Sequence, residues 1–183
     1  MNATESDRGQ YDDACDVFWA TGAAFCCRAS AFREAGGFDA DFFAHMEEID
    51  LCWRLQIAGW RIRVEPQSTV YHLGGGTLPV SSPSKIFYNH RNNLMMLYKC
   101  ATPVQRAVVA FVRPFLDFAA AVSYLCGGSG AGFCAVFRAW REFLAAHGTL
   151  AAKRRVIQQQ RRSAPSRDIS RRHILRGSIF LLH

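Results

Sequence analysis

The chain has 183 residues, 50% of them hydrophobic and 20% charged, with a formal net charge of +7. This length and apolar content suffice for one buried core, which excludes a disordered chain and a large multidomain protein. The cysteines at 15, 26, 27, 52, 100, 126 and 134 form no Cys-x-x-Cys pair, so neither a zinc ribbon nor a redox motif is indicated, and their odd number beside apolar neighbours favours reduced thiols in a cytosolic setting.

Residues 1–16 are polar and carry no secretory signal pattern. Residues 17–28 are apolar enough for a buried strand, and Ser30 is placed to cap a short helix closed by Gly36-Gly37. From 43 to 57 the apolar residues Met46, Ile49, Trp53 and Ile57 recur at helical spacing, and Gly59 stands where a left-handed C-terminal cap belongs. Glu47 and Glu48 fall in the first turn of this helix, where unpaired amides and the helix dipole favour negative charge. Asp50 and Arg54 have the spacing of an ion pair one turn apart. On helix physics alone the two glutamates have a simple structural explanation, stabilisation of the helix start by roughly 0.3–1 kcal/mol. A catalytic one stands beside it.

After the acidic helix, residues 61–64 alternate as an edge-like strand that Glu65-Pro66 ends, and residues 68–73 read as the next strand, with His72 near its end. The run Gly74-Gly75-Gly76-Thr77 can bring backbone amides close to phosphate oxygens, but it lacks the Lys-Ser/Thr of a P-loop. Ser81-Ser82-Pro83 begins a helix running through Arg91, Asn92 and Asn93 to about Lys99.

From Thr102 the character changes. Arg106, Arg113 and Asp117 lie on one narrow face of a helix that is otherwise apolar to Leu125, and Gly127-Gly128-Ser129-Gly130 separates it from a second apolar helix, giving a helical hairpin over 101–150. Its charges and glycines disfavour a membrane span; attachment at a membrane interface fits better, with packing against other protein as the alternative. Residues 151–183 form a basic tail in which Lys153, Arg154, Arg155, Arg161, Arg162, Arg167, Arg171, Arg172 and Arg176 face one acid, Asp168, so the first 150 residues are nearly neutral. An anionic membrane surface is the favoured partner of that tail. Nucleic acid is the runner-up, set behind lipid because the run has no interleaved aromatics and no nucleic-acid fold accompanies it, and a merely solvated tail is the remaining alternative.

Gly22-Ala23-Ala24-Phe25, Arg28, Phe32, Gly36-Gly37-Phe38-Asp39, Phe42-Phe43, Glu47-Glu48-Ile49-Asp50-Leu51, Trp53-Arg54, Ala58-Gly59-Trp60 and Tyr71-His72 together resemble the C-terminal half of the catalytic domain of family 2, GT-A type, inverting glycosyltransferases, in particular bacterial rhamnosyltransferase-like members. The resemblance covers about residues 10–100. It implies an α/β fold, namely the C-terminal half of a GT-A, Rossmann-like nucleotide-diphospho-sugar transferase domain over 17–100, followed here by the helical hairpin and the basic tail.

The resemblance further implies catalytic roles for Glu48 as general base, Glu47 as its support and Asp50. Trp19, Gly22, Arg54, Gly75, Gly76, Arg91 and Asn92 become substrate-binding positions, and His72 a ligand of the divalent metal, Mg2+ or Mn2+, on the donor pyrophosphate. Glu48 departs from the commoner aspartate by one methylene. The implied donor is a nucleotide sugar and the acceptor a glycan or polyprenyl-linked sugar, with the protein cytoplasmic and peripheral at the inner face of the membrane. The family's donor-binding strands and Asp-x-Asp metal motif would precede this region, and Asp39-Ala40-Asp41 is no substitute, since it follows Gly-Gly-Phe rather than a β-branched strand. The chain is therefore expected to be the acceptor-side part of an enzyme; the alternative is a non-catalytic, membrane-associated module.

Overall fold

Paired glycines end the first helix as the sequence predicts. In a computed structural model of the chain, which describes residues 6, 8–10, 12–72 and 82–163, helix α1 (Ala29–Glu34) closes on Gly36 and Gly37, both at positive φ. The Gly37 amide donates to the Phe32 carbonyl and the Gly36 amide to that of Arg33, the paired bonds of a glycine-terminated helix. Its N-cap is Arg28, not Ser30, and has no side-chain capping bond. Helix α2 (Glu47–Ile57) ends in the same way on Gly59, with Trp60 donating to Leu55 and Gly59 to Gln56.

α2 starts at Glu47 rather than at 43 because His45 and Met46 sit at φ 67° and 71°, left-handed values that cannot be propagated into a right-handed helix. Eight of its eleven residues are buried, which makes it the central helix. One side packs with Ala31, Ala35 and Ile62 through Leu51, Cys52 and Leu55. The other side, through Ile49, Trp53 and Ile57, meets Met95, Met96, Leu97, Leu150 and Ile157. Trp53, Leu51 and Leu55 are all but fully buried, each worth about 1.5–3 kcal/mol of transfer free energy.

Strand content is smaller than the sequence suggests. β1 (Asp16–Val17) pairs antiparallel with β2 (Ile62–Arg63), Val17 opposite Ile62, and this two-stranded sheet is the only one among the described residues. Residues 18–28 and 68–72 are irregular. Val70 and Tyr71 are exposed, and a strand needs a neighbour to satisfy its backbone groups. The described part of the expected α/β fold is thus mainly helical.

Helix α3 (Pro83–Cys100) begins as predicted, with the Ser82 side chain accepting from the Lys85 amide and Pro83 at the first helical position. Helix α4 (Pro103–Cys126) is set by a capping box between Thr102 and Gln105, and α5 (Gly130–Ala145) by Ser129. α4 and α5 form the expected hairpin and pack on α3 through Ile86, Phe87, Ala121, Ala135, Val136 and Ala139. Within it Asp117 accepts from Arg113 Nε and Trp140 Nε1, each at 2.8 Å, and pairs with His90 Nδ1 at 2.9 Å. Of the three charges foreseen on one face of α4, Arg113 and Asp117 are thus turned inward and paired, while Arg106 stays exposed with its guanidinium over the Tyr98 ring.

The expected basic tail is in part a further helix, α6 (His147–Ser163). Lys153 pairs with Asp39 and Asp41. Arg154 donates to the carbonyls of Tyr98, Lys99 and Ala101, and Arg161 to that of Cys100. These three cations, assigned by sequence to a lipid surface, instead complement acidic groups and the carbonyl-rich end of α3. Arg167, Asp168, Arg171, Arg172 and Arg176 lie outside the described residues, as do Gly75 and Gly76.

Candidate active site

Glu47 and Glu48 are the first two residues of α2. Both are partly buried, and the Oε2 atom of each is shielded from solvent with no hydrogen-bond partner among the described residues. Burial raises the pKa of Glu48 above its ordinary 4.5, and the adjacent Glu47 carboxylate adds to the rise, while the backbone amides of Glu48 and Ile49 oppose it. With one oxygen shielded and unpartnered, this carboxylate takes up a proton more readily than an exposed glutamate.

The segment after β1 runs past the same helix end. Phe18 stacks edge-on to Trp53 at 5.5 Å, and the Gln56 side-chain amide donates to the Phe18 carbonyl. These contacts bring Gly22 beside Glu48: a Cβ added at Gly22 would lie 3.9 Å from that of Glu48. Trp19, on the same segment, is about one-third exposed. Glu47, Glu48 and Gly22 are therefore brought together, with Trp19 on the strip that leads to them.

The loop entering α2 is held from behind by α3. Asn92 Nδ2 donates to the carbonyls of Ala44 and His45 at 2.8 Å each. Arg91 donates through Nη2 to the Asp41 carbonyl at 2.7 Å and through Nε to Asn92 Oδ1 at 3.0 Å, and its guanidinium lies over the rings of Phe87 and Tyr88. Asn92 is wholly buried, so the expectation that it meets substrate gives way to a structural role. Its contacts secure two consecutive left-handed residues, each costing of order 1–3 kcal/mol. Arg91 is likewise engaged with the protein.

Asp50 and Arg54 lie on the other face of α2. Arg54 Nε donates to Asp50 Oδ2 at 2.8 Å, and its terminal nitrogens donate to the carbonyls of Ala35 and Gly37. Asp50 Oδ1 is 2.9 Å from Lys99 Nζ. Asp50 has no exposed surface, so it holds the helix and the Gly36-Gly37 turn in place and does not itself face a cleft.

His72 is exposed on an irregular segment, and no group of three His, Cys, Asp or Glu side chains able to hold a metal ion is present among the described residues. They do not fit a divalent cation by themselves. His45, which the sequence does not single out, is part of the site: its Nε2 is buried without a hydrogen-bond partner among the described residues, and burial, with Lys85 nearby, lowers its pKa below 6.5 against the opposing pull of Glu47. Its one signal in the sequence is a histidine two residues before an acidic pair; its left-handed backbone has none.

Residues 6–126 match the model of the family described as Glycosyl transferase family group 2. Over 56 residues the chain is 48% identical to the "Pre-mycofactocin glycosyltransferase" of Mycobacterium tuberculosis (strain CDC 1551 / Oshkosh), covering 31% of this chain and 12% of that protein. It is 33% identical over 81 residues to the "N-acetylglucosaminyl-diphospho-decaprenol L-rhamnosyltransferase" of the same strain, covering 44% and 26% respectively. With "Rhamnosyltransferase WbbL" of Escherichia coli (strain K12) the identity is 39% over 56 residues, or 31% of this chain and 21% of that protein. The chain thus spans about a quarter or less of the length of these curated relatives. No solved structure matches it.

Proposed function

We propose that this chain, which belongs to glycosyl transferase family group 2, supplies the acceptor-activating side of a GT-A type sugar transfer, with Glu48 as general base. The observation that carries this reading is the shielded, unpartnered Oε2 of Glu48 at the start of α2, with its pKa raised by burial and by Glu47. An acceptor hydroxyl brought up to Glu48 on the side of Gly22, which has no side chain of its own to stand there, gives its proton to that carboxylate. The hydroxyl oxygen then bonds to the anomeric carbon of a nucleotide sugar as the bond to the nucleoside diphosphate breaks on the opposite face, which inverts the centre. A carboxylate whose pKa is raised above that of an ordinary glutamate takes up the proton more readily as it leaves the hydroxyl.

Glu47 supports the raised affinity for the proton, and Asp50 with Arg54 fixes the helix that carries both. We read the described part as the acceptor side, because it carries the acidic start of α2 and its sheet is a two-stranded antiparallel pair. A divalent cation on the donor pyrophosphate belongs to the family resemblance, but the described residues assemble no ligand set for it, and no step is assigned to it. Replacing Glu48 with Gln in a complete enzyme that contains this segment tests the base. Transfer at wild-type rate by that variant removes the assignment.

A lipid-linked acceptor is the second part of the reading. One relative's name specifies a sugar diphospho-decaprenol, and α4 presents an exposed apolar stripe from Val104 to Leu125, stepping alternately by four and three residues through Val108, Phe111, Phe115, Phe118 and Val122. Spacing of this kind also marks a coiled-coil seam, which in water is flanked by charges. Here the only charged residues between 107 and 126, Arg113 and Asp117, are buried. α4 is long and apolar enough to cross a membrane, yet its neighbour α5 carries Arg138 and Arg141 on exposed positions, so the helix is read as lying in the interface of an inner-leaflet surface. Co-sedimentation with lipid vesicles tests this: binding requires lipid, and its absence at low salt rejects it.

A further inference from the structure

Two lysines from different helices converge on the loop that leads into α2. Lys99, wholly buried on α3, pairs with Asp39, and Lys153 on α6 pairs with Asp39 Oδ1 at 2.5 Å and Asp41 Oδ2 at 2.7 Å. α6 is brought there by its own docking: Arg154, Gln158 and Arg161 donate to the last carbonyls of α3 and the residue beyond, where a helix has no internal donors left. Lys153 therefore bridges 112 residues of sequence to Asp41. Beyond Asp41 the loop is pinned by Arg91 at the Asp41 carbonyl and by Asn92 at those of Ala44 and His45, then passes through the two left-handed residues into Glu47.

We propose that α6, through Lys153, is a brace for the base-bearing end of α2, with Lys153 as a positioning residue for Glu48. The proposal rests on reading Glu48 as the base for its functional meaning, but the brace itself is a matter of geometry. α6 lies beyond residues 6–126, the stretch matched by the family. Lys153 acts on the start of the loop and Asn92 on its end, so the left-handed pair is held from both sides. Freed at Asp39 and Asp41, the loop can relax those two residues and expose the first turn of α2 to water.

The test uses the 183-residue chain and two readouts by NMR: amide hydrogen exchange, and titration of the Glu48 side-chain carboxyl. In Lys153→Met, which keeps the apolar stem and removes the charge, amides of residues 41–48 should exchange about 10-fold faster or more while those of α4 and α5 change less than about twofold. The Glu48 midpoint should move down towards 4.5 as its burial is lost. Lys153→Arg should restore both. Asp41→Asn, made from the loop side and leaving α6 untouched, should reproduce the local change in weaker form and decides the matter if Lys153→Met does not fold.

Unchanged exchange at 41–48, uniform acceleration along the chain, or an unmoved Glu48 midpoint in a variant with a loosened loop would each overturn the proposal. None of these readouts depends on sugar transfer. Loss of the brace is therefore distinguishable from loss of the assignment of Glu48 as base.

Discussion

Lys99 Nζ lies 2.9 Å from Asp50 Oδ1, and neither side chain reaches solvent. A charge buried this deeply is tolerated only with its partner in place, so removing one member costs more than the pair is worth. Lys99→Met should destabilise the chain by roughly 3–5 kcal/mol, read from urea unfolding. Combining it with Asp50→Asn should cost less than the two single changes together, by about 0.5–3 kcal/mol. Additive losses would show that the two groups do not act as a pair.

Asn92 is predicted to matter for its two donated hydrogens. Asn92→Ala leaves the carbonyls of Ala44 and His45 without their donor and should cost roughly 1–3 kcal/mol. Asn92→Asp should cost more, because a carboxylate cannot donate and faces two carbonyl oxygens. Unfolding curves for the two variants give the order directly, and equal stability to wild type would contradict the packing of this loop.

Glu48→Gln separates catalysis from stability. In a complete enzyme, transfer should fall by roughly 10²–10⁴-fold with donor affinity little changed, and Glu47→Gln should cost less. In folding, the sign is opposite. A carboxyl whose folded pKa is raised contributes stability below its unfolded value near 4.5 and loses it as pH rises through the folded value. The melting temperature of Glu48→Gln should therefore gain on wild type as pH rises from about 4 towards 7.

Asp39 should behave in the reverse sense. Burial alone would raise its pKa, but Lys99 and Lys153 override that and hold it well below 3.8. Its contribution is present above that value and fades as the solution is acidified. Asp39→Asn should accordingly lower the melting temperature near neutrality and flatten the acid limb of the stability profile.

The apolar stripe of α4 makes its own prediction. Phe111→Asp and Phe115→Asp replace exposed side chains, so the fold should stay within about 0.5 kcal/mol of wild type, while vesicle co-sedimentation should be largely lost. Retained binding would move the membrane contact elsewhere; sedimentation velocity with and without lipid shows whether a second copy covers the stripe instead.

Features set by neighbours in sequence were legible without a structure. The Ser82-Pro83 start of α3, the glycine-closed ends of α1 and α2, the Asp50–Arg54 pair, the first-turn position of Glu47 and Glu48 and the break between α4 and α5 each depend on residues within one or two turns. Backbone geometry and side-chain reach fix such features wherever the chain goes. The rest was decided by packing across long separations. His45 and Met46 adopt left-handed backbones because Asn92, 47 residues from His45, takes hold of the loop. Arg91 and Asn92 are occupied by protein rather than left for substrate, and Lys153 turns from an expected lipid contact to the carboxylates of Asp39 and Asp41. A basic or amide side chain goes to whichever acceptor the fold leaves buried and unpaired, and the tertiary structure alone determines which acceptors those are.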